Sequence, residues 1–174
     1  MVDKAKLIVA GKELELPTLV GTENEVGIDI GKLRASTGVV TVDNGFANTA
    51  PCQSAITFLN GEKGILRYRG YPIEQLAEHS TFLEVAWLLL HGELPTEQQF
   101  SEFGSQLDHH AELHTGLQGL FACFPATAHP MAKLSSAVSG LSAFHPASDQ
   151  RDAEAFDRAT HQLIAKLPVI AASA

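Results

Sequence analysis

The chain has 174 residues, 45% of them hydrophobic, which is enough for a soluble domain with its own core. The chain has 12 basic and 20 acidic residues. Its net charge of −8 argues against a nucleic-acid partner, because binding nucleic acid needs clustered cations. The longest apolar run, at residues 85–90, is far too short to span a bilayer, so we expect no membrane partner.

The termini and cysteines point to a cytoplasmic protein. No apolar run follows the first charges, as a secretory signal would require, and Asp3, Glu13 and Glu15 argue against a transit peptide. Cys52 and Cys123 have neither a CxxC spacing nor a disulfide framework, which is typical of reduced thiols. Charged residues make up only 18% of the chain, so we expect part of its surface to be buried against other copies or further polypeptide.

Before residue 70 the sequence pattern is that of β-structure. Short β-branched or alternating segments, separated by glycine and asparagine turns, predict two hairpins and one further strand. The predicted elements are a hairpin of 6–9 with 13–16, a strand at 38–42 that ends at an Asp-Asn-Gly turn, and a hairpin of 55–59 with 64–68.

After residue 70 the pattern becomes helical. Pro72 suits the first turn of a helix, and Thr81 precedes Glu84 by three residues, the spacing of a capping box. The helix that follows is apolar nearly all round, so we expect it to be buried and to end at Gly92. A further start at Pro95 predicts a helix with one apolar stripe, formed by Phe100, Phe103 and Leu107.

Three more helices are predicted in the rest of the chain, at 113–124, 131–144 and 152–167. We expect Phe156, Leu163 and Ile164 to form the inner face of the last one. Pro168 is expected to start a new helix, within which the sequence stops. This pattern favours a truncated product.

Two histidine arrangements are candidates for chemistry. His110 and His114 have the i, i+4 spacing of metal ligands on a helix, but the pattern is not H-E-x-x-H, so we favour a polar helix surface. His129 could act as a general base, but no carboxylate is near it in sequence. We favour a histidine that binds loop backbone groups at a helix start.

Arg67 and Arg69 alternate on the predicted strand and are expected to face the same side, where they could clamp an anion. We favour the alternative that they pair structurally, with Glu62, Glu74 or a neighbouring subunit. The sequence has neither a phosphate-binding glycine loop nor a G-x-S-x-G nucleophile motif. We therefore predict no catalytic, cofactor-binding or metal-binding residue in this chain.

Several segments resemble the citrate synthase family, in the family's order. Residues 60–77 are similar to its opening signature, and they are followed by matching segments at 82–95, 129–131, 140–144 and 165–168. The resemblance implies a mainly α fold, with residues 51–174 forming a β-hairpin and the first helices of an incomplete multihelical large domain. Residues 1–50 resemble the small β-rich N-terminal domain of the bacterial, hexameric (type II) kind.

The resemblance implies a condensation of acetyl-CoA with oxaloacetate that gives citrate and CoA, in a homo-oligomer and without a further cofactor. The family uses two histidines and an aspartate for this chemistry, and arginines to hold oxaloacetate. None of these maps to a position here, so we expect this N-terminal portion to lack the active site. The alternative is a catalytically silent binding or assembly module derived from the same region.

The resemblance also bears on inhibition by NADH, which many bacterial members show. His109 and Glu112 stand where sensitive members tend to have arginine and methionine, while His145 replaces a tyrosine and Gln162 an arginine. His110 and Lys166 are retained. Because two cations are lost and a carboxylate is gained, we predict weaker binding of a pyrophosphate.

Overall fold

The computed structural model describes residues 4–145 and 152–174. The chain divides into two compact units, Met1–Ala55 and Ile56–Ala174. Most of the second unit is helical, which confirms the prediction of a mainly α protein with a smaller β component. Among the described residues, no helix is both long and apolar enough to cross a membrane.

The first unit contains a three-stranded antiparallel sheet in the order β1–β2–β3. Its elements are β1 (Lys4–Val9), β2 (Lys12–Val20), β3 (Val26–Ile28) and the short helix α1 (Leu33–Thr37). Val9 pairs with Lys12, and the two intervening residues, Ala10 and Gly11, have φ of 50° and 73°. Positive φ at both positions is what a tight hairpin turn requires, so the first predicted hairpin is confirmed.

The predicted strand at residues 38–42 is wrong, because these residues form no strand. Gly38 ends α1 at φ 79°, and the Val39 N–H donates to Thr37 Oγ1 at 3.1 Å. The Val42 side chain is 83% exposed. β-Branched residues favour a strand where neighbours pair and pack against them, and here the backbone bonds locally instead.

The predicted Asp-Asn-Gly turn does form, and the Asp43 carboxylate organises the loop after it. It accepts hydrogen bonds from the Asn48 N–H at 2.8 Å and from the Thr49 hydroxyl at 2.9 Å. These two bonds hold the pKa of Asp43 below its usual range.

The second unit begins with a small antiparallel sheet, β4–β5–β6. Its strands are β4 (Thr57–Asn60), β5 (Ile65–Tyr68) and β6 (Tyr71–Pro72), so the second predicted hairpin is also confirmed. The helices that follow among the described residues are α2 (Ile73–His79), α3 (Phe82–His91), α4 (Glu97–His110), α5 (Thr115–Ala122), α6 (Pro130–Phe144) and α7 (Ala153–Ser173). Pro72 is the N-cap of α2, one residue before the predicted position.

Local hydrogen bonds set both ends of α3, as its sequence predicts, and the start of α4. Thr81 and Glu84 form a reciprocal capping box at the start of α3, and Thr96 and Gln99 form one at the start of α4. Gly92 ends α3 at φ 94°, a conformation that favours glycine.

α7 differs from its prediction in two ways. It continues through Pro168, where a new helix was expected. Proline removes one helical hydrogen bond, but the contacts of α7 with α4 and α6 offset that loss of stability. The predicted inner face is also wrong, because Phe156 is 71% and Leu163 42% exposed. The buried residues are Ala155, His161, Lys166 and Ile170, on the face that the neighbouring helices select.

An apolar core joins α5, α6 and α7. It consists of the buried residues Leu113, Leu117, Ala137, Leu141 and Ile170. A row of rings links α3, α4 and α7: Phe103 lies 5.4 Å from Trp87 and 5.4 Å from His161, each edge-on. The expectation that α3 is buried is wrong, since Leu88 is its buried residue and Phe82 is 74% exposed.

Gly116 of α5 lies against the Phe144 ring at the end of α6. A Cβ placed there would lie 2.8 Å from Phe144 Cε1 and 3.1 Å from His114 Nδ1. Gly119, one turn later in α5, has no such neighbour within 4 Å. The glycine at 116 is therefore required by close packing of two helices.

We expect Gly116→Ala to lower the free energy of unfolding by about 1–3 kcal/mol, because the new methyl group collides with the Phe144 ring. Gly119→Ala is the matched control, and it should raise stability by about 0.5–1 kcal/mol through lower backbone entropy in the unfolded chain. Urea unfolding followed by circular dichroism measures both. Equal effects of the two substitutions would show that α5 and α6 do not pack as described.

Large apolar side chains remain exposed on the helical unit. On its helices, the most exposed are Phe82 at 74%, Phe156 at 71% and Met131 at 60%. Exposed apolar surface drives association, and few charges oppose it in this chain.

We therefore expect the 174-residue chain to self-associate, and Phe156→Lys to weaken the association by removing apolar area from the contact. Ser105→Lys adds the same charge at an exposed polar position of α4 and is the control. Light scattering over a concentration series provides the measurement. A monodisperse monomer at all concentrations would contradict the prediction.

Candidate functional site

Lys166 is the most unusual polar residue of the helical unit, since it is only 4% exposed. It projects from α7, and its ammonium donates to the backbone carbonyls of His110, at 2.6 Å, and of Glu112. These carbonyls lie at and just beyond the C-terminal end of α4, where the helix dipole favours a cation. Burial lowers the pKa of Lys166, and the Glu112 charge opposes this shift.

Two histidines near Lys166 are held towards their neutral form. Burial lowers the pKa of His110, and the neighbouring positive groups His109, Lys166, His161 and His145 lower it further. Burial also lowers the pKa of His145, with smaller contributions from Lys166 and His114. A buried lysine and neutral imidazoles are groups that could donate hydrogen bonds to an anion.

A cavity of about 150 Å³ lies between α6 and α7 beside these groups. Its polar lining is Ser142, His145 and Gln162, and its apolar lining is Val138, Leu141, Ala159 and Leu163. The space suits one ring or one small polar group, and His145 and Gln162 could orient such a group. His145 and Gln162 thus line one cavity.

A larger cavity, of about 700 Å³, lies within the first unit. It is lined by β2, β3 and the segment 41–53, with Glu25 and Asp29 as its ionisable acids. The described lining contains no lysine, arginine or histidine side chain, so we assign no chemistry to it.

His110 and His114 do not lie on one helix, as the metal-site interpretation requires. α4 ends at His110, and His114 is the N-cap of α5, so the two are not on one helix. Across residues 4–145 and 152–174, no group of three or more potential ligands is placed to hold a metal ion.

His129 occupies the start of α6, where its Nδ1 accepts a hydrogen bond from the Met131 N–H at 3.1 Å. The preferred interpretation, a histidine that binds backbone groups at a helix start, is therefore confirmed. The same bond occupies the lone pair that a general base would use.

The expectation that Arg67 and Arg69 share one side of a strand is wrong. Arg67 lies in β5, with its guanidinium 5.8 Å from the centre of the Phe58 ring. Arg69 follows the strand at φ 50°, in the turn to β6, and donates to the Leu89 carbonyl at 2.7 Å. Both contacts are structural, and the Arg69 bond ties the sheet to α3.

Sequence reasoning alone missed the importance of Lys166 and His161. Both are buried on α7, yet the patterns pointed to Phe156 and Leu163 as the inner face. One signal was available for Lys166, because it is the single charge in the otherwise apolar segment 163–170.

Comparison with known proteins gives consistent results. The family model described as "Citrate synthase, C-terminal domain" matches residues 45–174. Citrate synthase 1 of Mycobacterium tuberculosis is 49% identical over 173 residues, in strain CDC 1551 / Oshkosh and in strain ATCC 25618 / H37Rv. That match covers 99% of this chain and 40% of the relative's length.

Solved structures agree with the sequence relatives. The citrate synthase of Pyrobaculum aerophilum superposes with a TM-score of 0.67 and 33% identity, covering 76% of this chain and 35% of that one. The citrate synthase of Thermotoga maritima MSB8 gives a TM-score of 0.63 and 28% identity, covering 75% and 33%. The chain thus spans about 40% of the length of the curated relatives it matches. On the family match and the 49% identity, the chain belongs to the citrate synthase family.

Proposed function

We propose that this chain serves the condensation of acetyl-CoA with oxaloacetate. In that reaction the acetyl methyl carbon loses a proton and bonds to the ketone carbon of oxaloacetate. Water then cleaves the thioester, which gives citrate and free CoA. The observation that carries this proposal is the 49% identity to a citrate synthase across 99% of the chain.

Within such an enzyme, these residues would act as scaffold. The histidines that could be mistaken for catalysts have backbone roles: His129 caps α6, and the His110 carbonyl accepts from Lys166. We propose that the catalytic histidines, aspartate and substrate-binding arginines lie in the part of the relatives that this chain does not cover. No cofactor besides the substrates is required by that reaction.

We further propose a cytoplasmic homo-oligomer of the bacterial hexameric kind. Its support is the low charged fraction of 18% and the exposed apolar side chains of α3 and α7. A subunit interface would cover such side chains.

We expect the 174-residue chain alone to release no CoA from acetyl-CoA and oxaloacetate above background, because residues 4–145 and 152–174 offer no acid–base pair to which we can assign the enolisation. Colorimetric detection of the free thiol in steady state measures this, after the initial reaction of the exposed Cys52 and Cys123 is complete. Citrate synthase 1 of M. tuberculosis serves as the positive control.

Two results would contradict the scaffold role. One is steady turnover by the purified chain that His129→Ala abolishes, since the structure gives His129 only a capping bond. The other is complete inactivity of any longer protein containing this chain, which would favour the silent assembly module instead.

We also propose that NADH binds this chain weakly at the α6–α7 cavity. Gln162 lines that cavity, so Gln162→Arg should restore a cation there and tighten NADH binding by about threefold to tenfold, or about 0.6–1.4 kcal/mol. Glu112→Met should act in the same direction by removing a carboxylate. Nicotinamide fluorescence provides the readout.

Gln75→Arg is the matched control, because it adds the same charge on the exposed face of α2. An equal gain from Gln75→Arg would indicate general attraction to the anion. Tight NADH binding by the unmodified chain would overturn the proposal.

A further inference from the structure

Two consecutive helices of the second unit begin with a histidine cap. His114 Nδ1 accepts from the Gly116 N–H at 3.0 Å at the start of α5, and His129 Nδ1 accepts from the Met131 N–H at 3.1 Å at the start of α6. By contrast, α3 and α4 are capped by threonines and α7 by Asp152. The first turns of α5 and α6 therefore each depend on an imidazole nitrogen that must carry no proton.

A histidine can cap a helix in this way only while the bonded nitrogen carries no proton. The imidazolium ion has two N–H donors and no acceptor, so protonation removes the bond to the helix N–H. It also places a positive charge at the positive end of the helix dipole. Both changes act against the first turn of the helix. His114 and His129 are exposed, so protons reach both rings.

His114 has a second role that couples the two helices. Its ring stacks on Phe144, the last residue of α6, with the ring centres 4.7 Å apart. Both rings lie against Gly116, where no side chain would fit. A change at the His114 cap is therefore transmitted directly to the C-terminal end of α6, where His145 follows.

The surroundings oppose additional positive charge. His145, after α6, is the titratable group coupled to His114 at this junction, and the groups around His145 and the neighbouring His110 are His109, His161, Lys166, Glu112 and Asp157. The acids Glu112 and Asp157 are exposed, whereas Lys166 and His161 are buried. At the start of α6, the backbone N–H of Lys133 donates to the His129 carbonyl, while the Lys133 ammonium donates to the backbone oxygen of Ala174.

We propose that the α5–α6 pair is an acid-sensitive element, in which protonation of His114 and His129 removes both helix caps and loosens these two helices before the rest of the unit. Because α6 lines the cavity against α7, loosening of α6 also changes that cavity.

His110 and His145 also lower the stability of the folded chain as the pH falls, which is the same direction as the proposed effect of His114 and His129. Burial lowers the pKa of both below the ordinary histidine value, so between the lowered and the ordinary pKa the unfolded chain binds more protons than the folded chain. The stability they contribute is complete above about pH 6.5 and is lost as the pH falls towards the lowered pKa.

The test is amide hydrogen exchange of the chain at several pH values, corrected for the intrinsic exchange rate at each pH. From pH 7.5 to 5.5, we expect protection in α5 and α6 to fall by about fivefold for each cap that is lost, the equivalent of about 1 kcal/mol. Protection in α3 and α4, which have threonine caps, should change much less.

His114→Asn and His129→Asn keep a helix cap but remove the group that can be protonated, since asparagine caps helices well and does not ionise. In each variant, the helix concerned should keep its protection at pH 5.5. His79→Asn is the control, because that exposed histidine ends α2 and caps nothing with its ring. It should leave the pH dependence of α5 and α6 unchanged.

Fragmentation to single amides gives a second readout that needs no variant. The Gly116 and Met131 amides, which the two rings accept from, should lose protection at the pH midpoint of ring titration. The proposal is overturned if these amides keep their protection at pH 5.5, or if the asparagine variants retain the full pH dependence.

Discussion

The helical unit depends on the hydrogen bonds that the buried Lys166 ammonium makes to backbone carbonyls 54 and 56 residues earlier in the chain. The contact fixes α7 to the point where α4 ends, and thereby sets which face of α7 is buried. Removing a charge from water is costly, and here the carbonyls at a helix end offset part of that cost. Around this contact, the rings of Phe103 and His161 and the core at Ile170 then pack on either side.

The features that could be read from the sequence are those that short stretches determine. The hairpin turn at Ala10 and Gly11, the capping boxes of Thr81 and Thr96, and the glycine end of α3 each involve residues within four positions of one another. Their geometry is set by local hydrogen bonds and by backbone conformations that few residues adopt. The family resemblance rested on ordered motifs, and the matches at 45–174 agree with it.

The features that could not be read depend on which elements meet. Residues 38–42 have strand composition but bond locally, and α7 runs through Pro168 because contacts with α4 and α6 outweigh one missing hydrogen bond. The candidate site shows the same limit. Its cavity brings His145 together with Gln162 across two helices, and periodicity within one helix cannot predict that pairing.

Pro168 has a mechanical consequence for α7. A proline inside a helix withholds the donor that the carbonyl four residues earlier would receive, here that of Ile164, and so creates the point of least bending stiffness. Lys166 lies within this turn, while Ile170 beyond it is anchored in the core. α7 therefore bends most easily at this turn. Strain on its last turns acts on the Lys166 ammonium group, which holds α7 to the end of α4.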